Sequence, residues 1–445
     1  MNLISLFNSH RAIAIGSFAS IVARGIQTIT ILIITGIATR SFTKEEFGLW
    51  AILLTFLYSG FAFDFGFRSA LTNRLTAMVA DSSGKADDYQ RDFFLSIFYL
   101  QIGIGIVGSI LSLIFGNVIP WVQILKVQQL DITGYINSLI TIVIIILFLN
   151  VSLITSSSGF LAFHEVHIDS LLNAIQWLIL LGVFWLTNLN KLFSFKDIVI
   201  YFFLTYLIIG LIRILILFVL RKWKFIWIPA VVQFDNVKKI SSVSMHFFTL
   251  NFSAMIVSTG STFLAGLIGG LKNAGDFSII QRLFTVLITI HMAFMAAFTP
   301  SFTSEARNGN WKGVLNKLNF NLYFTVPLLF IVFGGLIFIC HPLILKLWTG
   351  LTFENYSLTG LFALYALFMG WGNTNSILLN SLGLVKSQAV WSFVIAPIFL
   401  LFTFYFGKTL GVTGIVLAST LSAFPGMIYF TFYTRNAIKK GRINV

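Results

Sequence analysis

One cysteine, Cys340, and seven prolines are all that this 445-residue chain has of either. A single cysteine excludes a disulfide framework within the chain, and Cys340 reads as a small packing residue. Charge is scarce as well: 10% of residues are charged and 57% hydrophobic, with a mean hydropathy of +0.92. A soluble globular chain carries about 25% charged residues. No soluble fold hides so much apolar surface, so most of this chain has lipid as its solvent. Acid is the scarcest charge of all, 15 Asp and Glu against 29 Lys and Arg, for a net charge of +14. In the linear pattern no carboxylate lies deep in any apolar run, which argues against acidic proton relays within the spans. Also missing are a Walker loop, a zinc spacing and a serine–histidine–acid arrangement. His246, His291 and His341 have no second ligand at metal-binding spacing, so neither a metal nor a cofactor is implied and the chain does not read as an enzyme.

Twelve apolar runs long enough to span, about 20 residues each, are present. They cover roughly 12–37, 47–66, 93–115, 138–162, 169–187, 198–219, 243–267, 275–299, 319–341, 357–381, 387–406 and 411–434. Lipid offers no partner to a free backbone amide or carbonyl, which forces these runs into helices. A barrel would alternate in polarity, and runs such as Ile140–Leu149 do not. The expected fold is therefore an all-α integral membrane protein of about twelve transmembrane helices. The first apolar segment carries Arg24 and is too long for a cleavable signal, so it reads as a retained span. The longest polar loop, 67–92, is too short for a soluble domain.

An even number of spans puts both termini on one side. The loops on that side hold 18 Lys and Arg and the opposite loops hold 8, which predicts cytoplasmic termini by the positive-inside rule. The densest clusters are Arg221, Lys222 and Lys224 with Lys238 and Lys239, and the tail Arg435, Lys439, Lys440 and Arg442. Scattered over short loops, they suit anionic lipid headgroups rather than nucleic acid.

Charge inside a span needs a reason. Arg24 lies twelve residues into the first run, about 18 Å along a helix and near the midplane. Ser17, Ser20, Arg24, Gln27, Thr28 and Thr35 form one polar stripe at i, i+3/i+4 spacing. Such a stripe faces either a water-filled cavity or another polar helix. Arg282 sits beside Gln281 in span 8, close enough to the outer end to snorkel. Arg213, about 12 Å from Arg221 by the same helical rise, reads as snorkelling to the inner boundary, although the sequence leaves open whether it or His246 faces a cleft. Asp64 closes span 2 four residues before Arg68, and a local ion pair at the cytoplasmic mouth, structural or gating, accounts for both. His291 reads as buried and hydrogen-bonded. Asn373, Ser376 and Asn380 share one face of span 10, where interhelical hydrogen bonds are the ordinary account and sugar hydroxyls the rarer one. Gly266, Gly269 and Gly270 permit close packing or a hinge.

The chain also carries a half-to-half echo. G-I-A-T-R-S-F-T-K-E-E-F-G-L-W from Gly36, followed by F-D-F-G-F-R-S-A-L-T-N-R, is answered from Gly269 by G-G-L-K-N-A-G-D-F-S-I-I-Q-R-L-F. Phe47 falls on Phe277 at a shift of 230, and Ala70-Leu71-Thr72 on Ala297-Phe298-Thr299 at a shift of 227. Paired halves are common among transporters. The organisation expected is an N-terminal lobe over 1–220 (spans 1–6), a basic cytoplasmic linker over 221–242, and a C-terminal lobe over 243–445 (spans 7–12 and the tail).

The motif at 42–50, the D-x-G element Asp64-Phe65-Gly66 and S-A-L-T-N-R at 69–74 resemble the polysaccharide (O-antigen or repeat-unit) flippases of the multidrug/oligosaccharidyl-lipid/polysaccharide exporter (MOP) superfamily. The resemblance implies two six-helix lobes around a central cleft. It implies alternating-access export of an undecaprenyl-pyrophosphate-linked oligosaccharide across the bacterial inner membrane. Only Arg24 and Arg282 are carried over from it, to meet the pyrophosphate; by their own polarity and position Gln27, Thr28, Gln281, His291 and Asn373 are the candidates to line such a cleft. A glycan polymerase and chain-length machinery would be partners. The competing readings are a cation-coupled multidrug antiporter of the same superfamily, a membrane glycan polymerase or ligase, and a scaffold.

Overall fold

A computed structural model describes residues 3–59, 63–81, 87–116, 118–190, 193–223, 234–352, 355–384 and 386–441. Lys224, Arg442 and the loop around Gly84 lie outside them, as does the side chain of Ser17. Every regular element among the described residues is helical. In chain order these are α1 (Leu3–Ser41), α2 (Lys44–Ser59), α3 (Phe67–Asp81), α4 (Asp87–Gly116), the short α5 (Trp121–Ile124) and α6 (Leu130–Thr133), α7 (Ile136–Ala162), α8 (Val166–Asn190) and α9 (Phe195–Arg221). Then follow α10 (Phe234–Val257), α11 (Gly260–Arg307), α12 (Trp311–Phe320), two π-helical stretches at Asn321–Thr325 and Pro327–Phe333, α13 (Gly334–Thr349), α14 (Tyr356–Ser381), α15 (Lys386–Leu410) and α16 (Val412–Lys439). Among the described residues, ten helical segments are long and apolar enough to cross a membrane. The chain is a multi-pass, all-helical membrane protein.

The helices gather into two compact units. One comprises Met1–Ile37 with Leu53–Phe252, the other Ala38–Ile52 with Ser253–Val445. In the first, α7 packs against α4, α9 and α3, and α8 against α9. Its core is aromatic, with Phe93, Phe94 and Phe160 fully buried and Trp223 packed on Phe94 and Phe163. In the second, α16 packs on α14 and α15, and α11 on α14, around Met295, Phe302, Leu318, Leu378 and Phe430.

Three features depart from the linear reading. Residues 67–81 are not polar loop but helix α3, which follows α2 after a turn around Asp64, and α4 begins at Asp87. The seventh and eighth runs are not cut by a loop near 268–274. The seventh run breaks earlier, at Ser258–Thr259 between α10 and α11, and from Gly260 helix continues through 268–274 with a kink at Gly270, whose φ of 81° and ψ of 175° suit glycine alone. The ninth crossing is longer than its apolar core and runs from Trp311 to Thr349. Pro327, with no N–H to donate, lies within it where the ladder loosens into π turns.

The T-K-E-E-F-G-L-W motif has a direct structural account. Thr43 and Glu46 form a reciprocal capping box: the Thr43 amide donates to the Glu46 carboxylate at 2.8 Å and the Glu46 amide to the Thr43 hydroxyl at 3.3 Å. Two residues on, a Cβ at Gly48 would lie 1.8 Å from the Leu271 carbonyl oxygen, and one at Gly275 would lie 3.0 Å from the Phe47 ring. Each glycine thus admits the opposite helix, and the two are 227 residues apart. That separation equals the interval between Ala70 and Ala297.

Candidate functional site

In the first unit the polar stripe of α1 divides. The Ser20 hydroxyl meets that of Ser170 on α8 at 3.0 Å, and Thr35 is buried with its hydroxyl on the Ile31 carbonyl. Between them Arg24 is exposed, Gln27 and Thr28 are half-buried, and the Thr28 hydroxyl donates to the Arg24 carbonyl. No acid pairs with Arg24 among the described residues. α1 is 39 residues long and continues past Arg24 in both directions.

Asp64 is not an exposed partner of Arg68. It is buried in the turn before α3, where its carboxylate accepts the Gly66 amide at 2.7 Å and the Arg68 amide at 3.3 Å. These are amides that a helix start leaves without partners. The Asp64 carbonyl accepts Gln101 of α4 at 2.9 Å. Phe65 and Gly66 both take positive φ, 50° and 76°. At Gly66 a Cβ would strike the Ser244 carbonyl oxygen of α10 at 2.2 Å. The Arg68 guanidinium acts on the Asp64 carboxylate through space, while the Arg68 carbonyl accepts the Ser158 hydroxyl of α7.

A second polar cluster overturns two expectations. Arg213 does not run to the boundary; its Nε lies 3.7 Å from the Asp169 carboxylate on α8, which also accepts the Ser157 hydroxyl at 2.9 Å. The side chains of Arg213 and Asp169 are only 12% and 19% exposed. Arg68 and Tyr206 lie near enough to Arg213 to act on it electrostatically. With Asp64 and Asp169 both enclosed, carboxylates do lie inside this unit. Their positions at the ends of apolar runs had concealed it. Arg221 pairs with Glu165 and stacks over the Phe163 ring.

In the second unit, Gln281 is committed to structure. Its amide donates to the Ser258 carbonyl and the Ser261 hydroxyl and accepts the Thr262 hydroxyl, lacing the two arms of α11 across Gly270. Arg282 beside it is half-buried. His291 is fully buried, its Nε2 3.1 Å from the Thr374 hydroxyl of α14. Asn373 is half-buried, whereas Ser376 and Asn380 are tied to α15 through Gln388, the interhelical bonding that their shared face suggests. His246 is exposed and bonded within its own helix. No cluster of metal-ligating side chains occurs among the described residues.

Helical units of this kind define a known class, the fold of MOP-superfamily transporters. An inward-facing multidrug-resistance MATE transporter superposes with a TM-score of 0.71 at 12% identity, over 95% of this chain and 99% of its own. The lipid II flippase MurJ, inward closed, gives 0.71 at 16% identity over 94% and 87%. A MOP transporter from Pyrococcus furiosus Vc1, for which reversed polarity of the binding pocket suggests a different function, gives 0.64 at 13% over 96% of each chain. No protein-family model and no curated protein matches the chain.

Proposed function

We propose that this chain is a flippase that carries an undecaprenyl-pyrophosphate-linked oligosaccharide, an O-antigen or capsule repeat unit, from the inner to the outer leaflet of a bacterial cytoplasmic membrane. The observation that carries the reading is the contrast between Arg24 and the carboxylates. Arg24 is exposed on a polar helix face with no acid paired to it among the described residues. Asp64 and Asp169 are already engaged, by backbone amides and by Arg213 with Ser157. A cation antiporter needs a carboxylate ready for its ion, whereas a pyrophosphate head group needs a cation ready for its charge.

Arg24 meets the pyrophosphate from the cytoplasmic side, Arg282 meets it nearer the outer side, and Gln27, Thr28 and Asn373 offer further polar contacts. Guanidinium matches phosphate oxygens in two-pronged geometry. The lipid tail stays in the bilayer while the two lobes open alternately to either side. Both termini are cytoplasmic, and the basic loops rest against anionic lipid.

The test is complementation of a surface-glycan export defect, with the protein quantified in isolated membranes. Arg24→Ala abolishes export at near-normal abundance, Arg24→Lys restores part of it, and Arg282→Ala is impaired less. Normal export by an abundant Arg24→Ala variant would sink the proposal.

A further inference from the structure

Four side chains close a ring at one corner of the second unit. The Arg435 guanidinium of α16 donates from Nη2 to the Tyr323 hydroxyl. The Tyr323 ring stands edge-on to Trp371 of α14, with 5.8 Å between ring centres. The Trp371 indole N–H donates to the Thr431 hydroxyl at 2.8 Å, and Thr431 sits on α16 one turn before Arg435. Tyr323 comes from the first π-helical stretch, so the ring joins three elements. Arg435 is half-buried and aimed in one direction, whereas Lys439 and Lys440 beyond it are exposed.

The corner offers donors and no acid. The phenol oxygen of Tyr323 accepts from Arg435, which leaves its own O–H to serve a further acceptor. Lys439 follows Arg435 by four residues on the same face of α16, about 6 Å along the helix. No carboxylate pairs with Arg435 or Lys439 among the described residues. An anion with several oxygens suits such a set, and guanidinium is well matched to phosphate. Apolar surface continues from the same place. Phe320 and Phe324 stack at 5.2 Å on the stretch that carries Tyr323, and are 47% and 57% exposed. Aromatic rings with a polar tip are what a membrane interface favours. Tyr323 and Arg435 accordingly stand at the ends of the apolar runs 319–341 and 411–434 that share one side. Free phosphate would satisfy the donors and leave the phenylalanines bare, whereas a phospholipid engages both.

We propose that Arg435, Tyr323 and Lys439 bind the phosphate of an anionic phospholipid whose acyl chain lies over Phe320 and Phe324. The phosphate bridges α16 to the start of the ninth crossing, so the bound lipid stabilises the second unit. The inference takes its leaflet, the cytoplasmic one, from the orientation proposed above, and nothing else from the transport reading.

The test uses the full chain in detergent, stripped of lipid. It is titrated with phosphatidylglycerol, with phosphatidylcholine of the same acyl chains, and with inorganic phosphate. Bound lipid is counted by native mass spectrometry and melting is followed by tryptophan fluorescence. Phosphatidylglycerol is expected to bind saturably and to raise the melting temperature, and the other two to do neither at the same concentrations. Arg435→Gln weakens phosphatidylglycerol binding at least about tenfold, and Tyr323→Phe, which keeps the ring on Trp371, about three- to fivefold. Lys386→Gln removes a different exposed charge on the same side and leaves binding unchanged. Undiminished binding by Arg435→Gln, or equal weakening by Lys386→Gln, overturns the proposal, since surface charge in general would then attract the lipid. Saturable protection by inorganic phosphate that Arg435→Gln removes overturns a lipid as the occupant. If Arg435→Gln does not fold, Tyr323→Phe compared with Lys386→Gln decides in the same way. None of these readouts involves transport, so loss of the flippase reading would leave their result standing.

Discussion

Replacing Asp169 by asparagine removes the charge that faces Arg213 while keeping the shape of the side chain. The guanidinium, 12% exposed and 3.7 Å from the lost charge, is left enclosed. Breaking one partner of a buried pair costs about 3–5 kcal/mol, and Arg68, which already repels Arg213, pushes the cost toward the upper end. For a unit of this size 1 kcal/mol moves the melting temperature by about 2–4 °C, so a fall of roughly 6–20 °C is expected in detergent, read by fluorescence-detected size exclusion after heating. Removing both charges tells a different story. Asp169→Leu with Arg213→Met leaves only Ser157 short of an acceptor, a loss of about 1 kcal/mol, so the double variant melts near the parent. The same reasoning predicts that Arg213→Met alone is milder than Asp169→Asn. An Asp169→Asn protein that melts within about 2 °C of the parent would refute the account, because it would mean that water already screens the pair.

Gly66→Ala forces a side chain into left-handed backbone against the Ser244 carbonyl and costs on the order of 2–5 kcal/mol from strain and overpacking together. Gly25→Ala, with open space around its Cβ, leaves thermal stability unchanged or slightly raised, and equal effects of the two substitutions would contradict the packing. For topology, an impermeant thiol reagent applied outside intact cells labels Asn190→Cys but not Ser83→Cys in a Cys340→Ala background, and labelling at Ser83 would invert the orientation.

The helical class and the multiple crossings were legible in composition and hydropathy, because lipid leaves the backbone no other choice. Breaks within crossings were not. Asp64-Phe65-Gly66 reads as the end of a span, since an acid followed by glycine is what a loop offers. Only the amide contacts of the Asp64 carboxylate and the close approach of Ser244 reveal a buried turn leading into a further helix. The Asp169–Arg213 pair joins residues on separate helices, and no periodicity within either helix points to the other. Gln281 was expected to line a cleft, whereas its hydrogen-bond partners Ser258, Ser261 and Thr262 come from the chain before the Gly270 kink.

The hairpin Ala38–Ile52 is made early in synthesis yet packs with residues from Ser253 onward. Severing the chain in the 224–233 segment would therefore not release two autonomous halves. The downstream fragment would lack the helix start that Leu271 and Gly275 close upon, and the upstream fragment would present that start with nothing to cover it. During synthesis the hairpin therefore waits through some two hundred further residues before the helix that covers it is made.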